Sequence, residues 1–220
     1  MPTTDRRAAR TQEILAATRR LFDERGVRDA QIEDIARAVG INRAIIYRHF
    51  SGKEELFAMT LVGYLREVEQ ALGAAAASSV QPPQRLEAIV RAFLEYGERH
   101  PAFVDCAQTL LRRRGDELLE EVSQDVMVQL GSSMTSCMAH LIDVIEDGTK
   151  NGDFDVHDPV LLANIFYTQA LGVLNLATLQ MSVRERVPGH PGFDPVPFEE
   201  VKTYVVRTAL AMAQGPARAT

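Results

Sequence analysis

The chain lacks tryptophan altogether, has only Cys106 and Cys137 as cysteines, and carries aromatic residues at 6%. No CxxC or Cys/His spacing surrounds the two thiols, so neither a disulfide framework nor a zinc site is expected, and two buried thiols in a reducing compartment is the reading left. The opening Met1-Pro2-Thr3-Thr4-Asp5-Arg6-Arg7 has no apolar core of the kind a secretory signal needs, so a cytoplasmic protein is predicted. There is no P-loop, GxSxG, HExxH or dinucleotide fingerprint. His100, His140, His157 and His190 are scattered without a spacing that makes ligands or a catalytic pair, so no enzyme, cofactor or metal site is predicted. Alternation of β-branched residues is also poor, which argues against sheet.

What is present favours helix. Ala, Leu, Glu and Arg are abundant, and an apolar fraction of 46% can support a core. The fold class expected is all-α. Residues 159–183 carry no formal charge, but Asn164, Thr168, Gln169, Asn175 and Thr178 interrupt them. Each would need a partner in hydrocarbon, so this is read as a helix buried in protein and no membrane is expected. The net charge of -6 hides an asymmetry: residues 1–60 hold 11 Lys and Arg against 9 Asp and Glu, and residues 61–220 hold 13 against 21. A basic head sits on an acidic body, and binding follows the local field rather than the total.

Hydrophobic spacing places the elements. Residues 11–25 set Ile14, Ala17 and Leu21 at helical intervals, widened by Leu15 and Phe22 and stopped by Gly26. Residues 32–39 align Ile32, Ile35, Ala36 and Val39 on one face, ended by Gly40. A third helix starts near Asn42, a natural cap, and turns Ile46 and Phe50 inward. Ser51 with Glu54 three residues on reads as a capping box opening a fourth helix that runs to about Gly73. Further helices are predicted at about 82–99, 101–114, 116–148, 159–180 and 196–214, the third of these broken by Gly148 with Asn151-Gly152. Residues 181–197, with four prolines and two glycines, read as a surface loop. The organisation is a head of residues 1–55 and a body of residues 56–220, with about nine helices in all.

Two short helices around a Gly-containing turn, the second carrying an exposed Arg and Tyr, make a helix-turn-helix whose second helix enters the DNA major groove. Arg43, Ala44 and Tyr47 share a face beside the Ile46/Phe50 edge. Arg43 can donate twice to guanine O6 and N7, and Ala44 can touch a thymine methyl. Tyr47, His49 and Lys53 suit phosphates, which position a protein without reading sequence. The plainer alternative is that Arg43, Arg48, His49 and Lys53 form the solvated side of an amphipathic helix.

The pattern Ala16-Ala17, Leu21-Phe22, Gly26, Ile32-Glu33-Asp34-Ile35-Ala36, Val39-Gly40-Ile41, Tyr47-Arg48-His49-Phe50 and Lys53-Glu54 resembles the DNA-binding domain of TetR/AcrR-type repressors over about residues 11–57. The resemblance implies an all-helical homodimer whose heads read double-stranded operator DNA and whose bodies bind a small effector that weakens that binding. It implies base or groove contact by Arg43, Ala44 and Tyr47 and phosphate contact by His49 and Lys53, in a DNA-facing set that also includes Gln31, Asn42, Ile45 and Arg48. Two residues depart from the family pattern. Gln31 stands where Thr or Ser usually caps the second helix, and is a poor cap whose amide can still donate to a phosphate. Ile45 stands where a hydroxyl residue is common, which predicts a lost or apolar contact. Arg6, Arg7 and Arg10 fit either an arm along the DNA or a solvated tail.

An uncharged helix must be covered on most sides, which points to a homodimer seam built from residues 159–180 and 196–214. Ala163, Ala170, Gly172 and Ala177 would permit close approach, and Val201, Val205, Thr208 and Met212 would supply a stripe. For the effector, Phe93, Tyr96, Phe103, Cys106, Leu110, Met127, Met134, Met138, Tyr167 and Gln169 are candidates for a mainly apolar cavity, or for plain core. The competing function is a helical adaptor whose head binds protein instead of DNA.

Overall fold

The computed structural model describes residues 2–112, 120–179, 181–187 and 190–215. In chain order it contains α1 (Pro2–Arg25), α2 (Ile32–Val39), α3 (Arg43–His49), α4 (Lys53–Ala76), α5 (Pro82–Arg99), α6 (Pro101–Leu111), α7 (Gln124–Asn151), α8 (Pro159–Leu179), β1 (Met181–Val187), β2 (His190–Pro195) and α9 (Phe198–Gln214). Nine helices among the described residues match the all-α expectation, and the one addition is the antiparallel pair β1–β2. Two compact units result: Met1–Glu67 with His100–Met134, and Val68–Arg99 with Thr135–Thr220.

In the first unit, the apolar stripe of α1 is sealed. Ile14, Ala17, Leu21 and Phe22 are buried with Ile35 of α2 and Ile46 of α3, and Phe22 meets Phe57 edge-on with ring centroids 4.7 Å apart. Gly40 sits at φ 71°, a left-handed conformation that costs glycine nothing, and this lets Ile41 N donate back to Ala36 O at 2.9 Å and close α2. The buried Thr18 and Thr60 hydroxyls donate to the carbonyls of Ile14 and Leu56, both at 2.8 Å, so neither is left unsatisfied. Tyr64, fully buried, donates to Asp23 Oδ1 at 2.8 Å, and the Arg19 guanidinium lies 4.4 Å from its ring while forking onto Glu67. Burial, with the Asp23 contact, pushes the Tyr64 phenol far above its usual range.

Several boundaries differ from the sequence expectation. Helix α1 starts at Pro2, not near residue 11, because a proline is tolerated in a first helical turn and Arg6, Arg7, Ala8, Ala9 and Arg10 are all good helix formers. Helix α4 starts at Lys53, and the partner of Ser51 is Glu55 rather than Glu54: Ser51 N donates to Glu55 Oε2 at 2.7 Å and the Ser51 hydroxyl bonds to the same oxygen. Ser123 Oγ donates to the other carboxylate oxygen, Glu55 Oε1, at 2.7 Å. Burial alone would raise the Glu55 pKa, but these hydrogen bonds outweigh it and hold the carboxyl below its usual value. Helix α4 also runs past Gly73 to Ala76, and α6 ends at Leu111. The predicted 116–148 helix is α7, shifted to Gln124–Asn151, and residues 113–119 lie outside the described part.

In the second unit, α5, α8 and α9 pack together, and two glycines act as close-approach points. A Cβ on Gly97 would fall 2.4 Å from Leu174 Cδ1, and one on Gly148 would fall 2.1 Å from Phe154 Cδ2. Of Gly148 and Asn151-Gly152, which together are expected to break this helix, Gly148 lies inside it. The stop is Gly152 at φ 82°, after which Phe154 N donates to Gly148 O at 3.0 Å and the ring folds back onto the helix. Gly148→Ala is expected to destabilise the protein by about 1–3 kcal/mol through overpacking against Phe154. A denaturant melt checks it, and an unchanged midpoint would mean the ring moves aside freely.

Within the predicted loop at 181–197, β1 and β2 form an antiparallel pair from Met181 opposite Pro195 to Val187 opposite His190, with an irregularity between Glu185 and Val187. Pro191 and Pro195 sit on β2, an edge strand of a two-stranded sheet, where a missing N–H is tolerated.

Pro159–Leu176 is long and apolar enough to cross a membrane by length and composition, and 33% of it is buried. Ala163, Ala170, Leu171 and Leu174 face the unit's core, while Val160, Leu161, Leu176 and Leu179 are exposed. On α9, Val201 is buried, and Tyr204, Thr208 and Met212 lie outside. Ala163, Ala170 and Val201 thus belong to the unit's own core rather than to an outer seam. Gly172 is exposed, and the side chain of Ala177 is outside the described set.

Candidate nucleic-acid interface

Helix α3 is anchored by two side chains and presents the rest. Ile46 and Phe50 are buried, four residues apart, and Asn42 caps the first turn by accepting from Ile45 N at 3.1 Å. Arg43, Ala44, Tyr47 and Arg48 are exposed, with Tyr47 at 44%. Ile45, His49 and Lys53 are half-buried. Gln31 is exposed at the N-cap of α2 and makes no side-chain capping bond, as expected for glutamine.

The basic and aromatic groups are tied into the scaffold rather than dangling. Arg43 Nη1 donates to Glu33 Oε1 of α2 at 2.9 Å, and its guanidinium carbon is 5.9 Å from the Tyr47 ring centre. Lys53 Nζ lies 5.0 Å from the Phe57 ring centre. Thr11 Oγ1 and His49 Nδ1 are in hydrogen-bond contact at 2.9 Å, and Arg7 Nη2 donates to the Arg48 carbonyl at 3.3 Å. The long α1 thus brings Arg7 to the C-terminal end of α3, a placement the sequence reading left open between arm and tail. Burial lowers the His49 pKa, and the charges of Arg7 and Arg10 lower it further. The imidazole and the surrounding arginines suit anionic oxygens, and Arg43 with Ala44 suits base edges.

The effector candidates fall in both compact units. Phe103, Cys106, Leu110, Met127 and Met134 are in the first, and Phe93, Tyr96, Met138, Tyr167 and Gln169 in the second. Phe103 is fully buried with its ring centre 6.1 Å from that of Tyr64, and the Cys106 thiol points at the Phe57 carbonyl at 3.5 Å. Leu110 is buried, and Met127 and Met134 are half-buried. In the second unit, Phe93 and Tyr167 meet edge-on at 6.2 Å, Tyr96 is buried, Met138 is half-buried and Gln169 is exposed. Both thiols are buried and neither is in a disulfide, and burial pushes each up to about 12. An open cavity of about 550 Å³ lined by Ser51, Gly52, Glu54, Glu120, Glu121, Val122, Ser123 and Gln124 contains none of these candidates.

A three-helix unit that buries one edge of a short basic-aromatic helix and exposes the other defines a helix-turn-helix protein. Residues 14–59 match the family of bacterial regulatory proteins, tetR family. A repressor of Rhodococcus jostii, KstR2, is 28% identical over 151 residues, which span 69% of this chain and 71% of the relative. The fold matches a tetR-family regulatory protein from Rhodococcus RHA1 with a TM-score of 0.66 at 21% identity, over 92% of this chain and 96% of that one. It also matches FadR from Bacillus subtilis in complex with stearoyl-CoA, with a TM-score of 0.65 at 11% identity over 91% and 98% of the two chains. Residues 14–59 thus resemble the tetR-family DNA-binding segment, and the chain as a whole shares its fold with regulators of that family.

Proposed function

We propose that the protein is a repressor that binds pseudo-palindromic operator DNA as a homodimer and is released by a small, apolar or amphipathic effector. The observation that carries this is α3, held by Ile46 and Phe50 with Arg43, Ala44 and Tyr47 turned to solvent. The DNA-facing set is Gln31, Asn42, Arg43, Ala44, Ile45, Tyr47, Arg48, His49 and Lys53, joined by Arg7 through its contact with α3. Residues 1–55 serve as the DNA-binding head and residues 56–220 bind effector and partner, in the cytoplasm. Exposed apolar residues on α8 and α9 support the dimer, because a second copy covers what one copy leaves wet. Two heads then address half-sites about 34–36 Å apart or a multiple of that. The apolar and aromatic candidates in the body, and the fold shared with a stearoyl-CoA complex, support the effector class.

Selection from a random-sequence duplex pool, followed by a salt series, tests this. Operator binding predicts an enriched, two-fold-related motif and log affinity falling linearly with log salt. An adaptor that binds protein would enrich nothing. Within the motif, Arg43→Ala is expected to relax discrimination at one base pair by about 1–3 kcal/mol, whereas Lys53→Ala weakens all sequences alike and lowers the salt slope by about 1. Equal, sequence-blind losses in both variants would remove Arg43 from base reading.

A further inference from the structure

Glu33 places a carboxylate on a face otherwise suited to a polyanion, and its Oε1 accepts from Arg43 Nη1 at 2.9 Å. The two side chains are 54% and 65% exposed, so the pair adds little to folding stability. A negative charge here also works against phosphate. Its use is in what it does to Arg43.

A guanidinium has two forked edges, one made by Nη1 and Nη2 and the other by Nε and Nη2. With Nη1 engaged by Glu33, the edge formed by Nε and Nη2 is the one left to donate twice to a base. Among the described residues Glu33 is the only hydrogen-bond partner of Arg43, and the Tyr47 ring, 5.9 Å from its guanidinium carbon, supports it from within α3. One contact comes from each helix of the helix-turn-helix. An arginine without such support can satisfy itself on any nearby phosphate, which binds but does not discriminate.

We infer that Glu33 is a positioning and specificity-determining residue, which aims Arg43 at a base edge and keeps it off the phosphates. The inference rests on the operator-binding reading above. Glu33 does not itself contact a base; it raises the ratio of specific to non-specific affinity by preorganising the arginine and by repelling DNA that offers Arg43 no base partner.

The test uses the full-length protein, the duplex that wild type selects from a random pool, each single-base-pair variant of it, and a scrambled duplex of equal composition. Glu33→Gln removes the charge. It is expected to lower discrimination about 3- to 10-fold at the base pair that Arg43→Ala also relaxes, and to bind the scrambled duplex more tightly than wild type. Glu33→Asp keeps the charge but withdraws the carboxylate by one methylene, so it should lose the same discrimination without gaining affinity for scrambled DNA. In an Arg43→Ala background, Glu33→Gln should change no base preference. Thermal melts of all variants are expected to match wild type, since the pair is exposed. Wild-type preference retained by both Glu33 variants, or lost at a base pair unrelated to Arg43, would overturn the role of Glu33 alone. Failure of wild type to select any sequence would instead overturn the operator reading on which it rests.

Discussion

Tyr204→Glu is expected to turn the proposed dimer into a folded monomer and to lower operator affinity by about 10²- to 10⁴-fold. Tyr204 is 67% exposed on α9, with Thr208 and Met212 one and two turns further on the same side. On α8, Leu161 and Leu179 are also exposed, at 57% and 59%. A substitution at so exposed a position changes the stability of one copy by only about 0.5 kcal/mol either way. In a two-fold interface the same residue enters twice, and a carboxylate buried there without a partner costs several kcal/mol for each copy. The monomer retains one head, binds one half-site, and loses the gain that comes from tethering the second. Sedimentation velocity gives the oligomeric state, a duplex titration gives the affinity, and a melt shows that the chain remains folded. A Tyr204→Glu protein that still sediments as a dimer would place the seam elsewhere than α8 and α9.

Phe22→Ala is the largest stability change expected, at about 3–5 kcal/mol. Phe22 is 1% exposed, and its contact with Phe57 joins α1 to the start of α4. Truncation loses the transfer term, leaves a cavity in the core of the first unit, and removes a ring pair worth about 0.5–1.5 kcal/mol. Against a total stability of about 5–15 kcal/mol for a folded protein, that is a large share. Because the chain has two compact units, the measurement must report on the first: hydrogen exchange at α1 and α3 amides separates loss of the head from global unfolding. Phe22→Leu, which keeps most of the volume, should recover much of the loss. A Phe22→Ala head with wild-type protection would mean that Phe57 and its neighbours collapse into the space without cost.

The elements governed by local rules were legible in the sequence. Asn42 caps α3 and Gly40 terminates α2 because both effects need only the residue and its immediate neighbours. Ile46 and Phe50 are buried because their four-residue spacing puts them on one side of any helix. The all-α class and the exposed Arg43–Tyr47 face follow from the same periodicity.

What the sequence misplaced depends on partners far along the chain. The cap partner of Ser51 is Glu55 because Ser123, 68 residues away from Glu55, holds the other carboxylate oxygen. Gly148 extends a helix because the Phe154 ring returns to fill the space its missing side chain leaves, so composition marked the glycine and packing decided its role. Residues 181–187 pair with residues 190–195 although prolines and glycines read as loop. Glu33 scans as an ordinary surface charge, and only the crossing of α2 and α3 sets it 2.9 Å from Arg43. By itself the sequence determined which segments are helical and which face of the reading helix is outward, since backbone hydrogen bonding and side-chain periodicity act within a turn or two. The tertiary structure alone decided which side chains hold one another, because contacts between distant residues depend on how whole helices pack.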